Sequence, residues 1–182
     1  YTPGQQASGV LMDARVRISR CLGCLPKEIY FTSGGSEADN QAILSAAAIG
    51  KRQGKMHIIS TAFEHHAVLH TLKKLEKEGF EITLLDVGES GIVDPNQLEK
   101  AIRPDTALVT IMYANNEIGT IQPIGEIGAV CRQNGVLFHT DAVQAAGHLP
   151  INVKEDQIDM LSLSAHKFNG PKGIGVLYAK TG

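Results

Sequence analysis

The chain has 182 residues, of which 43% are hydrophobic and 20% are charged, a balance typical of a globular domain rather than a disordered or fibrous protein. Its 17 lysines and arginines against 19 aspartates and glutamates give a formal net charge of -2, so the broad basic excess that attracts nucleic acids and anionic membranes is missing. No run approaches the roughly 18 consecutive apolar residues of a membrane span, and no basic-then-apolar leader opens the sequence. We therefore expect a cytoplasmic protein that binds neither nucleic acid nor membrane.

The first predicted element is an amphipathic helix over residues 6–24, which carries apolar residues at helical spacing. Its end holds a Cys-x-x-Cys pair, Cys21 and Cys24. The pair closes the helix instead of opening it, where the helix dipole would activate a thiol, and no second pair follows at zinc spacing. We expect no metal or redox role for it, and we expect a buried thiol at Cys131. Three cysteines are also too few, and odd in number, for the disulfide framework of a secreted protein.

From residue 28 onward, short apolar runs alternate with longer segments of helical periodicity, which is typical of a parallel sheet covered by helices. Strands are predicted at residues 28–32, 56–60, 81–85, 106–112, 136–139, 159–163 and 175–179. Helices are predicted between them at residues 36–53, 65–78, 95–102 and 124–134. Gly79 and Gly135 stand where left-handed residues end helices. Without a repeat or linker, the sequence predicts one α/β domain over residues 1–182.

A glycine pair separates the first predicted strand from the next helix, in the segment 31–37, FTSGGSE. Glycines let the backbone turn sharply, and the helix N-terminus then offers free N–H groups to an anion such as phosphate. Ser36 can add a hydroxyl. The alternative is that Ser36 only caps the helix, with Glu37 in its first turn. No Gly-Lys-Ser/Thr follows, so a nucleotide P-loop is not expected.

Two adjacent histidines, His65 and His66, lie between the second predicted strand and the following helix. An imidazole can lie flat on an aromatic cofactor ring or move protons near it. Because adjacent side chains point in different directions, at most one of the two is expected to do so. The other histidines are expected to be ordinary surface or core residues: His57, His70, His139 and His148.

Two amides, Asn115 and Asn116, follow the most apolar predicted strand. Amides at the carboxyl end of a strand can hold a cofactor hydroxyl or a substrate carboxylate. Asparagine-rich turns also occur without any ligand. Taken alone, this segment predicts no function.

An acidic residue, Asp141, follows the predicted strand 136–139. A carboxylate at the carboxyl end of a strand, near the crevice where open α/β sheets bind ligands, can pair with a protonated pyridine nitrogen and keep the ring an electron sink. The alternative is an aspartate that caps a helix.

The last polar loop, residues 162–173, reads SLSAHKFNGPKG and contains Lys167 beside hydroxyls, a histidine and glycines. Such a lysine suits imine chemistry, in which an accessible and partly desolvated amine meets a phosphate-anchored aldehyde such as pyridoxal phosphate. The alternative is a solvated lysine in a turn.

Together these segments closely resemble the cysteine desulfurases, pyridoxal-phosphate enzymes of the class-V branch of the aminotransferase fold that supply sulfur for iron–sulfur clusters. The resemblance spans essentially the whole chain and is carried by five blocks in the family's order, at residues 31–40, 64–68, 115–119, 139–144 and 164–167. It implies a three-layer α/β/α fold with a mostly parallel sheet, the large domain of fold-type-I, aspartate aminotransferase-like enzymes. It also implies a homodimer.

The resemblance also implies a role for each matching residue toward pyridoxal 5'-phosphate. Lys167 would form the imine with the cofactor aldehyde, and Asp141 would pair with the pyridine nitrogen. Gln144 would bond the phenolic oxygen, with Asn116 near that oxygen and the substrate carboxylate. His65 would stack on the ring and join Lys167 as a catalytic residue. The phosphate would be held by Gly35, Ser36, Ser164 and His166.

The implied reaction converts L-cysteine to L-alanine and passes the sulfur, as an enzyme persulfide, toward a sulfur-acceptor or scaffold protein. The sequence ends soon after Lys167, so we expect a partial large domain without the family's first strand-bearing stretch, its small C-terminal domain, its substrate-gripping arginine and its persulfide-forming cysteine. None of the three cysteines matches that cysteine. Selenocysteine lyase and a catalytically incomplete cofactor-binding fragment stay as alternatives. A dinucleotide-binding module is weakened by the absence of Gly-x-Gly-x-x-Gly after the first strand.

Overall fold

The computed structural model describes residues 2–181 of the chain. Its strands are β1 (Ile29–Thr32), β2 (His57–Thr61), β3 (Glu81–Leu85), β4 (Thr106–Thr110), β5 (Leu137–Asp141), β6 (Met160–Ser164) and β7 (Gly175–Ala179). Its helices are α1 (Thr2–Leu22), α2 (Gly35–Arg52), α3 (His66–Lys77), α4 (Pro95–Ala101) and α5 (Ile124–Gln133), with short 3₁₀ helices at Pro26–Glu28 and Ala165–Phe168. Every predicted strand and helix is confirmed, although most begin or end a residue or two away from the predicted bounds. The largest correction is α1, which starts at Thr2 rather than at residue 6. Next come β4, which ends at Thr110 rather than at residue 112, and β5, which ends at Asp141 rather than at residue 139.

The strands form one sheet in the order β1-β7-β6-β5-β4-β2-β3. The pairs from β3 through β2, β4 and β5 to β6 are parallel, so the prediction of a mostly parallel sheet is confirmed. Strand β7 is antiparallel to both β6 and β1. The connection from β6 to β7 contains only a single 3₁₀ turn, which is too short for the helical crossover that a parallel return requires.

Helices cover both faces of the sheet and bury two separate apolar cores. On one face, α2 and α3 pack on alternate strand residues such as Ile58, Leu108 and Leu177. On the other face, α4 and α5 pack on the intervening residues, including Val109 and Phe138. This arrangement is the expected three-layer α/β/α fold. No helix within residues 2–181 has the length and apolar character needed to cross a bilayer.

Glycines close two of these helices as the sequence predicts. Gly79 follows α3 with a φ of +96°, and Gly135 follows α5 with a φ of +63°. Both values lie in the left-handed region that favours glycine, so the prediction that these two glycines end helices is confirmed.

The strand directions gather the chemically suggestive loops at one edge of the sheet. Strands β2, β4, β5 and β6 are parallel, so their carboxyl ends meet there. Strand β1 runs in the same direction, because β7 is antiparallel to both β1 and β6. The loops that follow these five strands therefore adjoin one another, at the edge where open α/β sheets bind ligands.

Candidate active site

A cavity of about 230 Å³ opens at this edge of the sheet. Its lining contains all nine residues that the sequence analysis singled out: Gly35, Ser36, His65, Asn116, Asp141, Gln144, Ser164, His166 and Lys167. It also contains three residues that the sequence analysis did not single out: Asp39, Met112 and Val143. The structure thus brings the predicted set together, while the role of each residue toward a cofactor stays a prediction.

One end of the cavity is suited to an anion. Helix α2 begins at Gly35, and its N-cap residue is Gly34, which has no side chain to bond the first N–H groups. These N–H groups, together with the positive end of the helix dipole, favour a bound anion. Ser36 is the second residue of the helix and not its cap, so the alternative that Ser36 merely caps α2 is wrong.

A second cavity of about 350 Å³ adjoins this end and shares four lining residues with the first, Gly35, Ser36, Ser164 and His166. The Ser164 hydroxyl lies 2.9 Å from Nδ1 of His166, so both side chains are held beside the helix N-terminus. Lys172 lines the same cavity and adds a cation. The volumes are those of small-molecule sites. Backbone donors, hydroxyls, an imidazole and an ammonium can together hold an anion of phosphate size, although the Glu37 carboxylate, which accepts from the Ser33 N–H, lines the same cavity.

Gly35 allows α2 to approach the loop after β5. A Cβ atom on Gly35 would lie 2.6 Å from Cγ2 of Val143, closer than packed carbon atoms can come. We expect Gly35→Ala to lower the free energy of unfolding by about 1–3 kcal/mol, as overpacking does. Because the clash is with one side chain, the cost should fall by about 1 kcal/mol in a Val143→Ala background. Denaturant unfolding of both single variants and the double variant measures this coupling.

The matched control is Gly34→Ala, since a Cβ atom there would meet nothing closer than the Ser164 hydroxyl oxygen at 3.9 Å. An equal cost of Gly35→Ala with and without the Val143 side chain would contradict the packing argument.

His65 alone of the histidine pair lines the cavity. It is the N-cap of α3, and its Nδ1 accepts a hydrogen bond of 3.1 Å from the backbone N–H of Ala67. This bond leaves Nε2 as the ring nitrogen that carries the proton of the neutral imidazole. His66 instead stacks on His70, with ring centroids 5.6 Å apart. The prediction that at most one of the pair faces a ligand agrees with this geometry.

Asp141 is the last residue of β5, and its side chain is buried. Its Oδ1 accepts a hydrogen bond of 2.9 Å from the N–H of Val143, and residues 143–147 form turns rather than a helix, so the helix-cap alternative is wrong. Burial raises the pKa of the Asp141 carboxyl above its usual range, although the hydrogen bond from the Val143 N–H and the nearby Lys167 ammonium partly oppose this. A buried carboxylate therefore faces groups that stabilise its charge.

Lys167 projects from the 3₁₀ helix Ala165–Phe168 that follows β6. The residue is exposed but lines the cavity, so it differs from an ordinary solvated lysine in its surroundings rather than in its burial. The turn is fixed by Asn169, whose φ of +65° ends the helix, and by Gly170, where a Cβ atom would lie 2.7 Å from that of Ala165. Nε2 of His148 lies 3.1 Å from the Lys167 carbonyl oxygen and holds the backbone at this point.

The two asparagines have different roles. Asn115 is buried: its Nδ2 donates to the carbonyl oxygen of Phe63, and its Oδ1 accepts from the N–H groups of Glu117 and Ile118. It therefore holds the loop together and connects it to the loop that precedes α3. Asn116 is the amide that faces the cavity.

Two buried acids complete the site. Asp39 lies on α2 and is 1% exposed, and its Oδ1 has no hydrogen-bond partner among residues 2–181. Glu64 precedes His65; its Oε1 accepts from the Thr61 hydroxyl at 2.6 Å and from the Met112 N–H at 3.0 Å, which connects the His65 loop to the end of β4. Its Oε2 has no partner in the described part of the chain.

Burial raises the pKa of Glu64 to about 8, although the two hydrogen bonds lower it. Between the ordinary carboxyl pKa and about 8, the folded chain keeps a proton that the unfolded chain has lost. We therefore expect the free energy of unfolding to fall as the pH rises through this range, by up to about 1.4 kcal/mol per pH unit from this group. Glu64→Gln, which preserves the Oε1 acceptor, should flatten the decline. Unfolding free energies from pH 5 to 8 measure it, and an unchanged slope in the variant would contradict the assignment.

Comparison with known proteins agrees with this geometry. The family model described as Aminotransferase class-V matches residues 1–182. A cysteine desulfurase IscS from Clostridium botulinum strain Hall is 57% identical over 169 residues, which cover 93% of this chain and 42% of that protein. A cysteine desulfurase IscS from Methanosarcina thermophila is 54% identical over 182 residues, 100% of this chain and 45% of that protein.

Solved structures share the fold. A structure described as "SspA in complex with cysteine" superposes with a TM-score of 0.94 at 45% identity and covers 98% of this chain and 51% of its own. A NifS-like protein gives a TM-score of 0.94 at 40% identity, with 98% and 49% covered. The chain thus spans about half the length of the relatives it matches. Because the family model covers its whole length, the chain belongs to the class-V aminotransferase family.

Proposed function

We propose that the chain is the cofactor-binding part of a cysteine desulfurase, which binds pyridoxal 5'-phosphate and converts L-cysteine to L-alanine with transfer of the sulfur for iron–sulfur cluster or other sulfur-containing cofactor synthesis. The observation that carries the proposal is that Lys167, Asp141 and the N-terminus of α2 face one cavity. An amine, a buried carboxylate and an anion site are the three groups that a phosphorylated pyridine aldehyde requires. The relatives named cysteine desulfurase, and the neighbour solved with cysteine, support cysteine as the substrate.

The residues present fit this cofactor. Its phosphate suits the N–H groups of α2 with Ser36, Ser164 and His166, and its ring nitrogen suits Asp141. Met112 and Val143 supply apolar contacts for a ring between these ends. When bound, pyridoxal phosphate supplies an electron sink for negative charge that develops at the substrate α carbon.

The chain's own groups then have distinct tasks. The Lys167 amine would hold the aldehyde covalently and, when free, would move protons at the substrate α carbon. His65 would lie against the ring, because its Nδ1 accepts from the Ala67 N–H and its Nε2 is left to donate a proton. Asn116 and Gln144 present neutral donors to the phenolic oxygen and the substrate carboxylate.

The thiol that accepts the sulfur is not one of the chain's three cysteines. The cavity lining contains none of them. Burial raises the pKa of Cys131 to about 12 and that of Cys24 to about 11, which leaves little thiolate for nucleophilic attack at neutral pH. Cys21 is exposed on α1 and does not line the cavity of the site. Assays of this chain should therefore include an added thiol as the sulfur acceptor. The proposal extends to a cytoplasmic homodimer that passes sulfur to an acceptor or scaffold protein.

The test begins with pyridoxal phosphate added to the purified full chain. We expect a visible absorbance band, and borohydride reduction followed by peptide mass spectrometry should place the cofactor on Lys167. L-cysteine with the added thiol should then give alanine and sulfide in equal amounts. Attachment to another lysine, or no attachment, would overturn the proposal. Faster release of selenium from selenocysteine than of sulfur from cysteine would favour a selenocysteine lyase, and attachment without turnover would favour a binding fragment.

A further inference from the structure

We propose that Asp39 is a positioning residue that remains a neutral carboxylic acid beside Asp141, so that Asp141 alone carries the negative charge that faces the cofactor ring nitrogen. This inference rests on the proposed function for its consequence, although the distribution of the proton concerns the cofactor-free chain as well. It assigns a task to a residue that the reaction chemistry described above does not use.

The two carboxyl groups share one small, dry volume. Asp39 is 1% exposed and Asp141 is 5% exposed, and both line the cavity. One oxygen of each and one ring nitrogen of His65 all lie within 4.8 Å of one another. Two carboxylates this close cannot both ionise without strong repulsion in a medium of low dielectric constant. The pair therefore holds one proton near neutral pH.

The hydrogen bonds decide which oxygen atoms carry the charge. Asp141 accepts from the Val143 N–H, a bond that favours its ionised form, and it faces the Lys167 ammonium. Asp39 has fewer such partners: its Oδ1 has none within residues 2–181, and the Ser162 side chain is the one hydrogen-bonding group that lowers its pKa. Burial and then repulsion from Asp141 raise the pKa of Asp39 well above its usual range.

The nearest side chain that could pair with Asp39 as a cation is His139, and its imidazole is neutral. Nε2 of His139 lies 3.7 Å from Oδ1 of Asp39, but burial lowers the pKa of His139 to about 3. Its ring is held by two hydroxyls, Thr110 at 2.8 Å from Nδ1 and Ser162 at 2.9 Å from Nε2. A neutral imidazole gives Asp39 no charge to pair with. The titratable groups that face the pair are Asp141, His139, His65, Glu64, His166 and Lys167.

The consequence is specificity for a ring with a protonated nitrogen. A single negative charge at Asp141 stabilises a cationic ring N–H. A second charge on Asp39 would attract the nitrogen proton or a solvent cation into the buried site. Asparagine has the shape of the neutral Asp39 acid and can replace it, but it cannot replace the charged Asp141.

The test is a carboxyl titration by ¹³C NMR in the cofactor-free full chain with labelled aspartate, in the presence of a chelator because Asp39, His65 and Asp141 have the spacing of metal ligands. We expect the Asp39 carboxyl carbon to show the shift of a protonated acid at pH 7 and the Asp141 carbon that of a carboxylate. The opposite assignment, or two carboxylates at pH 7, would overturn the inference whether or not the chain binds cofactor.

A second measurement tests whether the protonation of Asp39 affects the binding of pyridoxal phosphate. The affinity for pyridoxal phosphate should stay within about threefold in Asp39→Asn and fall at least about tenfold in Asp141→Asn, as expected for loss of a charge-assisted hydrogen bond. An analogue with CH in place of the ring nitrogen should bind the wild type and Asp39→Asn equally poorly. A loss in Asp39→Asn as large as in Asp141→Asn would overturn the neutral assignment. Failure of all variants and the wild type to bind would instead overturn the proposed function and leave the titration result standing.

Discussion

Lys167→Ala is expected to remove the visible absorbance band that the chain gives with pyridoxal phosphate and to lower cysteine turnover by about 10⁴-fold or more. The reason is that a reaction that depends on a covalent attachment and on proton transfer by one amine loses both steps together. The anion site does not depend on this amine, because the N–H groups of α2, Ser164 and His166 remain. The variant should therefore still bind the cofactor, with the spectrum of a free aldehyde. Absorbance spectra and alanine formation measure the two effects.

The matched control is Lys73→Ala, which removes the same charge from the exposed face of α3. It should leave the band and the turnover unchanged. Persistence of the visible band in Lys167→Ala would contradict the assignment of the amine. Loss of cofactor affinity in Lys167→Ala, together with a changed unfolding curve, would show that the turn after β6 depends on this side chain.

Most of the fold follows from local patterns in the sequence. Buried parallel strands are apolar on both faces, as β4 is, and caps such as Gly79 and Gly135 have a recognisable chemistry. The direction of β7 does not follow from its own residues, since an apolar five-residue run pairs equally well either way. It depends on the connection from β6, which contains the 3₁₀ turn at Ala165–Phe168 and no crossover helix, so the chain returns antiparallel.

The predictable part of the site is the part that lies in loops after strands. Lys167, Asp141 and His65 are polar residues at strand ends, where the fold class predicts ligands. Asp39 is different, because it lies within a helix. It lies on the buried face of α2 with Ala42, Ile43 and Ala46. An acidic residue at the spacing of this apolar face was the feature of the sequence that could have indicated a functional role.

Glu64 gave no comparable signal in the sequence. Its task depends on the backbone N–H of Met112, 48 residues away, and only the pairing of β2 with β4 brings the two together. Contacts of this kind follow from strand order rather than from local sequence. The sequence therefore predicted His65 but not the Glu64 hydrogen bonds that hold its loop.

Asp141→Asn is expected to lower cysteine turnover by about 10² to 10³-fold, the size of effect found when one preorganised electrostatic contact to developing charge is removed. The amide retains the shape of the carboxyl, and its oxygen can accept from the Val143 N–H as Asp141 Oδ1 does at 2.9 Å. It cannot carry the negative charge that keeps the ring nitrogen protonated, so the electron sink weakens while the fold is preserved. Turnover measured at saturating cofactor separates this effect from weaker binding.

Removal of the Asp141 charge also removes the repulsion that helps to keep Asp39 protonated. We therefore expect Asp141→Asn to be at least as stable as the wild type toward denaturant, because a buried ionised group is replaced by a neutral one that keeps its hydrogen bond. Glu99→Gln on the exposed surface of α4 is the isosteric control and should change neither turnover nor stability. Full activity of Asp141→Asn at saturating cofactor would contradict the pairing with the ring nitrogen. A loss of activity accompanied by a lower free energy of unfolding would indicate that Asp141 supports the fold rather than the reaction.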